Sequence, residues 1–197
     1  MSRLAIIDSG GANIASLQFA IERLGVEATL TTDPSKLAAA SHVILPGVGA
    51  AADCMARLEA LNLTDTIRSL RQPLLGICVG MQLLFEGSEE GDVACLGILP
   101  GRVRRFPNLA GMPVPHMGWN QLNITRPTPL LTGLTADDYV YYVHSYAAPV
   151  STDTVATTDY SNRFSAAVQR DNVFGVQFHP ERSARPGALI LANFLKV

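Results

Sequence analysis

The length, composition and charge of the chain exclude several classes of protein before any motif is considered. The sequence has 197 residues, of which 48% are hydrophobic and 16% are charged, and its formal net charge at pH 7 is -2. These values predict one globular domain, residues 1–197, with a core that needs no disulfide or metal. They give no electrostatic argument for binding nucleic acid or a membrane.

The first half of the chain alternates short apolar strands with helical patterns. Strands are predicted at residues 4–8, 26–31 and 43–45 and again from Pro73. Between them the spacing of apolar residues predicts helices at 14–24, 34–41 and 51–71, the last broken near residue 62. This alternation indicates βαβ units and a mostly parallel sheet. Active sites in such sheets gather at the carboxyl ends of the strands.

The second half changes to short strand-like runs separated by turn residues. Antiparallel or mixed strands that flank the main sheet are predicted at residues 97–106, 114–124, 139–146 and 166–168. A closing helix is predicted at 186–195. No signal peptide or membrane-spanning segment is visible, and three cysteines without paired metal spacing indicate the reducing cytoplasm.

One stretch has the pattern of a nucleophile elbow with cysteine in place of serine. An apolar strand leads into Gly76-Ile77-Cys78-Val79-Gly80, and an apolar helix is predicted to follow. In so sharp a turn, side chains two residues before and after the nucleophile would collide, which explains the two glycines. The start of a helix favours the reactive thiolate. The alternative is a buried structural cysteine.

A candidate base follows another apolar strand, in the run His179-Pro180-Glu181. A cysteine nucleophile needs an imidazole to move its proton, and the imidazole needs a partner on its other nitrogen, for which a carboxylate is suited. Residues 179 and 181 point to the same side if Pro180 keeps the segment extended. A core histidine and a solvated acid are the alternatives for each residue taken alone.

The other histidines do not predict a metal centre. His42 at a strand start is expected to be structural, whereas His116 and His144 could belong to the core or to a binding surface. No histidine pair has the spacing of zinc ligands, so neither a metal nor a cofactor is predicted.

Several of these runs together resemble a known family. The elbow at 76–82, the Pro-Gly-Val-Gly loop at 46–49 and the Phe-His-Pro-Glu run at 178–181 resemble the class I, triad-type glutamine amidotransferases. The runs at 116–120 and 143–146 are similar to those of the glutaminase subunits of imidazole glycerol phosphate synthases, and the similarity covers essentially the whole chain. The resemblance implies an α/β, three-layer flavodoxin-like sandwich with a mostly parallel central sheet and flanking antiparallel strands.

The same resemblance implies a reaction. Cys78 would attack the side-chain amide of glutamine, His179 would carry the proton, and Glu181 would orient His179. Ammonia would pass to a cyclase subunit of the (β/α)8-barrel type, which makes imidazole glycerol phosphate and AICAR in histidine biosynthesis. The implied oxyanion hole is Val48, Gly49 and Val79, the implied substrate contacts are Gly47, Gln82, Ser145 and Tyr146, and the implied partner interface is Asn13, Trp119, Tyr141 and Arg182.

Two other functions remain open from the sequence. One is a different hydrolase on the same elbow, such as a cysteine peptidase or a γ-glutamyl hydrolase. The other is a redox sensor in which Cys78 only oxidises. The loop at 46–49 and Gln82 favour the glutaminase, and Glu181 disfavours the sensor because a sensor thiol needs no orienting acid.

The glycines around Val48 would also allow a peptide flip that withholds one oxyanion donor.

Overall fold

The structure is a computed structural model that describes residues 3–9 and 14–197. Its helices are α1 (Ile14–Glu22), α2 (Pro34–Ala39), α3 (Ala51–Ala60), α4 (Thr64–Ser69), α5 (Val79–Gln82) and α6 (Ala184–Phe194). The strands are β1 (Leu4–Ile7), β2 (Ala28–Thr31), β3 (His42–Leu45), β4 (Leu74–Ile77), β5 (Gly87–Ser88), β6 (Val93–Ala94), β7 (Arg102–Arg105), β8 (His116–Gln121), β9 (Asn123–Ile124), β10 (Tyr139–His144), β11 (Tyr146–Ala147), β12 (Thr154–Asp159), β13 (Arg163–Arg170) and β14 (Val173–Val176). Short 3-10 turns cover Pro129–Leu131 and Pro180–Arg182.

An eight-stranded sheet in the order β2-β1-β3-β4-β14-β13-β12-β9 forms the centre of the molecule. The first five strands in this order are parallel, and the last three are added antiparallel. Every residue of β1, β3, β4 and β14 is buried, as expected for parallel strands covered on both faces. The predicted α/β fold with a mostly parallel sheet is therefore confirmed.

The helices cover the sheet in two layers. The connection from β1 to β2 runs towards one edge, whereas the later connections run in the opposite direction, so right-handed crossovers place α1 on one face and α2 to α4 on the other. The packing agrees, because α2 contacts α4, while α1 and α6 both contact the 3-10 turn after β14. That turn carries one of the predicted catalytic residues and directly follows another. No helix among the described residues is long and apolar enough to cross a membrane.

Smaller sheets lie beside the central one. A four-stranded sheet has the order β11-β7-β5-β6, and β8 pairs with β10 in an antiparallel ribbon. The antiparallel strands β9, β12 and β13 extend the main sheet, whereas the sequence predicted only strands that flank it. Strand β12 was not predicted at all, because its Thr-Val-Ala-Thr-Thr-Asp run is buried through hydrogen-bonded threonines rather than large apolar side chains.

The helical pattern at 51–71 and the helix after the elbow both form shorter helices than an uninterrupted apolar pattern would give. The long helical pattern at 51–71 is split into α3 and α4, and Asn62 between them has a left-handed φ of 54°, which confirms the predicted break. The helix predicted after the elbow is present but short, since α5 has only 4 residues. The chain turns away after Gln82 because Leu83 to Phe85 pack into the core.

Candidate active site

Cys78 lies on a strained turn between β4 and α5. Its φ of 53° and ψ of -112° fall outside the regions that side chains ordinarily occupy. A Cβ at Gly76 would lie 2.8 Å from the carbonyl oxygen of Gly80, and a Cβ at Gly80 would lie 1.9 Å from the carbonyl oxygen of Leu45. The predicted collisions are thus present, and only glycine fits on either side of the cysteine. The short α5 gives little helix dipole, so other groups must stabilise a thiolate.

His179 and Glu181 form a buried pair directly after β14. The Nδ1 atom of His179 lies 2.8 Å from Oε1 of Glu181, and their side chains are 6% and 4% exposed. A carboxylate only accepts hydrogen bonds, so Nδ1 carries the proton and Nε2 is left for Cys78. The segment is not extended as the sequence predicted. His179 is extended, but Pro180 begins a 3-10 turn, and this turn folds Glu181 back onto the imidazole.

The imidazole of His179 is held in its charged form. Burial lowers the pKa of His179, but hydrogen bonds and charge interactions with Cys78 and Glu181 outweigh burial and raise that pKa to about 10. At neutral pH the site therefore favours an imidazolium beside the sulfur of Cys78. Such a neighbour is the usual means of activating a cysteine nucleophile.

The loop at residues 46–49, called the oxyanion loop below, packs directly against the elbow. A Cβ on Gly47 would lie 2.4 Å from the backbone nitrogen of Gly80, so Gly47 is required by close packing rather than by a special φ. Gly49 has a φ of 92° with open space around it. The carbonyl of Val48 accepts a hydrogen bond of 3.5 Å from the thiol of Cys54. Val79 begins α5, so its N–H has no intrahelical acceptor.

A cavity of about 430 Å³ opens beside Cys78 and collects most of the residues predicted for the site. Glu90, Pro115, Val143 and His144 line it as well, although no pattern in the sequence placed them there. The predicted residues that line this cavity are Gly47, Val48, Gly49, Cys78, Val79, Gln82, Ser145, Tyr146, His179 and Arg182.

Gln82 lines this cavity, and its side-chain amide is held by hydrogen bonds to the protein. Its Nε2 donates to the carbonyl of Tyr146 at 2.9 Å and to Oε1 of Gln177 at 3.0 Å. Its own Oε1 is buried and has no hydrogen-bond partner within the described part of the chain. A buried acceptor without a partner is costly.

Three of the four residues predicted for a partner interface lie together. The rings of Trp119 and Tyr141 are 6.0 Å apart, and the guanidinium carbon of Arg182 lies 5.5 Å from the centre of the Tyr141 ring. Trp119 is 51% exposed and Met117 beside it is 63% exposed. The fourth predicted residue, Asn13, lies outside the described residues.

This cluster is connected to His179 through the backbone. The N–H of His179 donates to the carbonyl of Tyr141 at 2.9 Å, and the N–H of Tyr141 donates to Oγ of Ser183 at 2.9 Å. The hydroxyl of Ser183 donates in turn to the carbonyl of His179 at 2.7 Å. The β8–β10 ribbon is thereby fixed to the segment that carries the base.

Ser183 and Gln177 were not predicted from the sequence, and the places of His116 and His144 were left undecided. Gln177 is fully buried, and its Nε2 lies 3.7 Å from the sulfur of Cys78. A glutamine inside an otherwise apolar run before His179 was the available signal, because a buried amide must have hydrogen-bond partners. His116 and His144 are buried and hydrogen-bonded to each other at 3.1 Å.

The fold and the site together define a class of protein. An activated cysteine at the carboxyl end of a parallel strand, an imidazole oriented by a carboxylate, and a loop beside an open cavity are the parts of an enzyme that attacks carbonyl groups through a thioester. Comparison with known proteins shows which family of such enzymes the chain belongs to.

The family model described as "Glutamine amidotransferase class-I" matches residues 5–197. A curated relative from Xanthomonas axonopodis pv. citri (strain 306), "Imidazole glycerol phosphate synthase subunit HisH", is 55% identical over 197 residues, which is 100% of this chain and 98% of the relative. A relative of the same name from Xylella fastidiosa (strain Temecula1) is 53% identical with the same coverage. The chain belongs to the class I glutamine amidotransferase family.

Solved structures agree at the level of the fold. A structure described as a putative GMP synthase protein from Thermoplasma acidophilum superposes with a TM-score of 0.76 at 19% identity, covering 100% of this chain and 93% of the other. A second, described as a glutamine amidotransferase, has a TM-score of 0.75 at 18% identity, covering 98% and 99%.

Proposed function

We propose that this chain is the glutaminase subunit of imidazole glycerol phosphate synthase in histidine biosynthesis. It hydrolyses glutamine and passes the ammonia to a cyclase subunit that makes imidazole glycerol phosphate and AICAR. The observation that carries the proposal is the identity of 52% to 56% over the full chain with subunits of that name. Residues 1–197 act as one glutaminase domain, and the cytoplasm is the proposed location because the cysteines of the chain are unpaired.

Cys78, His179 and Glu181 are the catalytic residues in this proposal. The thiolate of Cys78 attacks the side-chain amide carbon of glutamine, and His179 gives its Nε2 proton to the departing ammonia. The resulting glutamyl thioester is attacked by water, whose proton returns to His179, and glutamate leaves with regeneration of the thiolate. Glu181 holds the imidazole in place and favours its charged form, as the raised pKa of His179 supports.

The oxyanion of each tetrahedral intermediate needs N–H donors. The proposed donors are the N–H of Val79 and one from the oxyanion loop at Val48 or Gly49. The Val48 carbonyl is turned towards Cys54, and Gly49 has an open left-handed backbone, so a change in this loop is sterically possible. The loop supports a switch in which a partner completes the oxyanion hole.

Glutamine is proposed to bind in the cavity of about 430 Å³ beside Cys78. Gln82 is a proposed substrate contact because it lines this cavity, where the carbonyl of Tyr146 and Oε1 of Gln177 hold its amide in one orientation. Gly47 and the segment of Ser145 and Tyr146 form the remaining walls of the proposed substrate site.

The proposed partner is a cyclase subunit of the (β/α)8-barrel type. Trp119, Tyr141 and Arg182 support a docking surface there, because they form one exposed to half-buried cluster joined to the backbone of His179 through Tyr141. Asn13 is kept as a proposed interface residue on the resemblance alone.

The test uses the complex with its cyclase. Cys78→Ala and Cys78→Ser should abolish synthesis driven by glutamine while synthesis driven by added ammonium salt stays within about twofold of wild type. The thiol serves only the amide hydrolysis in this proposal. Cys95→Ala, which removes a buried thiol away from the cavity, is the matched control and should retain both activities. Loss of the ammonia-driven activity in an assembled Cys78 variant would contradict the proposal.

A further inference from the structure

A buried amide lies between the substrate-contacting Gln82 and the sulfur of Cys78. This amide belongs to Gln177, whose side chain is fully buried directly after β14. Its Oε1 accepts from Nε2 of Gln82 at 3.0 Å, and its Nε2 lies 3.7 Å from the sulfur of Cys78. Gln177 does not line the cavity, so it reaches the sulfur from the protein side.

The orientation of this amide is fixed by hydrogen-bonding logic. The carbonyl of Tyr146 can only accept, so the group of Gln82 that lies 2.9 Å from it must be the NH2. That same NH2 lies 3.0 Å from Gln177, which must therefore present its oxygen to Gln82. The NH2 of Gln177 is consequently the group that faces Cys78, and it can act there only as a donor.

A second set of contacts fixes the Tyr146 carbonyl itself. Nδ1 of His144 donates to this carbonyl at 2.8 Å, so Nε2 of the neutral His144 accepts from Nδ1 of His116 at 3.1 Å. Burial lowers the pKa of His116 to about 4 and that of His144 to about 3, which keeps both rings neutral. Asn120 then donates to Nε2 of His116 at 3.3 Å. Every bond in this series has one allowed direction.

We infer that Gln177 is a further functional residue of this site: its amide N–H donates to the thiolate of Cys78 and holds the sulfur towards the cavity. A donor aimed at sulfur stabilises the anion more than the thiol, because hydrogen bonds to charged groups are the stronger ones. The four-residue α5 contributes little to this task. The inference deepens the proposed function and rests on it for the reaction that the thiolate performs.

The test measures alkylation of Cys78 by iodoacetamide in the chain alone, followed by peptide mass spectrometry. Cys54 and Cys95 are internal references, because burial raises the pKa of both thiols, that of Cys95 to about 11. Gln177→Met removes the donor at similar volume and should slow alkylation at pH 7 about tenfold, the size expected for a lost hydrogen bond to an anion. Gln72→Met is the control, since Gln72 donates to the carbonyl of Leu37 away from the site.

A second variant guards against misfolding and separates a positioning role from a purely structural one. Gln177→Glu keeps the shape and the acceptor for Gln82, but its carboxylate repels the thiolate, so the deficit in alkylation should grow as pH rises and the carboxyl ionises. A structural defect would instead slow alkylation equally at every pH. Gln177→Met that folds and alkylates within twofold of wild type, or Gln177→Glu without this pH dependence, would overturn the inference.

Turnover in the complex separates this inference from the proposed function. Gln177→Met should lower the kcat for glutamine about tenfold through the lost donor to the sulfur. Because Gln177→Met also removes the acceptor for Nε2 of Gln82, the change in KM is judged on Gln177→Glu, which keeps that acceptor and should change KM less than twofold. A wild-type complex without glutaminase activity would overturn the proposed function and leave the alkylation result standing. Normal alkylation and turnover in Gln177→Met would remove only the role of Gln177.

Discussion

At the scale of single residues, His179 is the point at which the contacts of the site meet. Its Nδ1 is held by Glu181, its other side faces Cys78, and its backbone is fixed by Tyr141 and Ser183. These contacts fix both the tautomer and the direction of the ring, which are the two properties that an acid–base residue needs. The raised pKa follows from the two side-chain partners and not from burial, which acts in the opposite direction.

Replacing Glu181 by Gln should hurt glutamine hydrolysis less than replacing His179 by Ala, because an orienting residue usually contributes less than the base that it orients. Glu181→Gln also removes a negative charge that raises the pKa of His179, so this pKa should fall from about 10. The imidazolium is then lost at lower pH, and the alkaline limb of the kcat profile should move to lower pH. Equal loss of rate in both folded variants, or an unmoved alkaline limb, would argue against these roles.

At the scale of elements, the elbow and the oxyanion loop act as one packed unit. Gly47 and Gly80 touch where β3 and β4 end, and any side chain at either position would separate the loop from the elbow. Gly49 differs from both because no atom of the described residues would lie within 4 Å of a Cβ there, so its positive φ and not close packing accounts for the glycine. Gly47, which close packing holds in place, and Gly49, around which a rearrangement is sterically possible, therefore lie two positions apart in the same loop.

Gly49→Pro is expected to blunt the stimulation of the glutaminase by the cyclase and its nucleotide ligand. Proline removes an N–H and fixes φ near about -65°, far from the 92° of Gly49. The stimulation itself should be about one to three orders of magnitude in kcat, the scale of one oxyanion donor. The measurement is the ratio of kcat with and without partner and ligand, together with the affinity of the complex, which should change little.

Two matched variants complete this measurement. Gly49→Ala is strained at the same φ but keeps its N–H, so its effect should be smaller, and Gly97→Ala, at another open left-handed glycine with a φ of 65°, should have none. A lone wild-type subunit with full activity, or a Gly49→Pro variant with undiminished stimulation, would rule the switch out.

The elements whose periodicity is strong were predicted from the sequence, and those that depend on tertiary contacts were missed. The buried strands and the break at Asn62 follow from apolar runs and local turn chemistry. Strand β12 could not be predicted because its threonines are buried through partners distant in sequence, such as Tyr142. The 3-10 turn at Pro180 was missed since only the packing of α1 and α6 against it shows which way the chain bends.

The same distinction applies to the candidate site: residues in local motifs were predicted, and residues placed by tertiary contacts were missed. The elbow has a local signature in Gly76 and Gly80, whereas the polar Gln177 in an apolar run signals only that its amide has partners, and its contact with Cys78 lies 99 positions away in sequence. The outcome is that motif residues were found and the residues that support them were not.

At the scale of the whole molecule, the buried histidines make stability depend on pH. The pKa of His116 is lowered to about 4 and that of His144 to about 3 by burial, against 6.5 in the unfolded chain. Above pH 6.5 both states are neutral and these two histidines add no pH dependence. As pH falls below this value the unfolded chain takes up protons first, so the free energy of unfolding decreases.

His116→Asn should weaken this dependence. Asparagine can still donate to His144, but it removes one group that the unfolded chain protonates, so the slope of the free energy of unfolding between pH 6.5 and about 4 should decrease. Urea unfolding at stepped pH measures the slope, and the comparison with wild type removes the contribution of the carboxyl groups. An identical slope in both proteins would mean that His116 is not buried in its neutral form.

The β8–β10 ribbon has one side exposed to solvent and one side packed against the rest of the protein. Its outer side carries the exposed Trp119, and its inner side carries His116 and His144, which connect to the Tyr146 carbonyl beside the proposed substrate site. A partner bound to this ribbon would contact the same strands whose hydrogen bonds hold His179 and Tyr146 in place. The fold thus offers a short physical route between the proposed docking surface and the proposed catalytic residues.

The central claim is that this chain takes the amide nitrogen from glutamine and delivers it to the cyclase. The most direct measurement supplies the complex with glutamine whose side-chain amide carries a heavy nitrogen isotope, in the presence of excess unlabelled ammonium. We expect the imidazole product of the wild-type complex to be enriched in the label far above the isotope ratio of the surrounding ammonium, with only the ammonia-driven reaction diluting it, and a Cys78→Ala complex to make only unlabelled product. Product from the wild-type complex with the isotope ratio of the surrounding ammonium would contradict this claim.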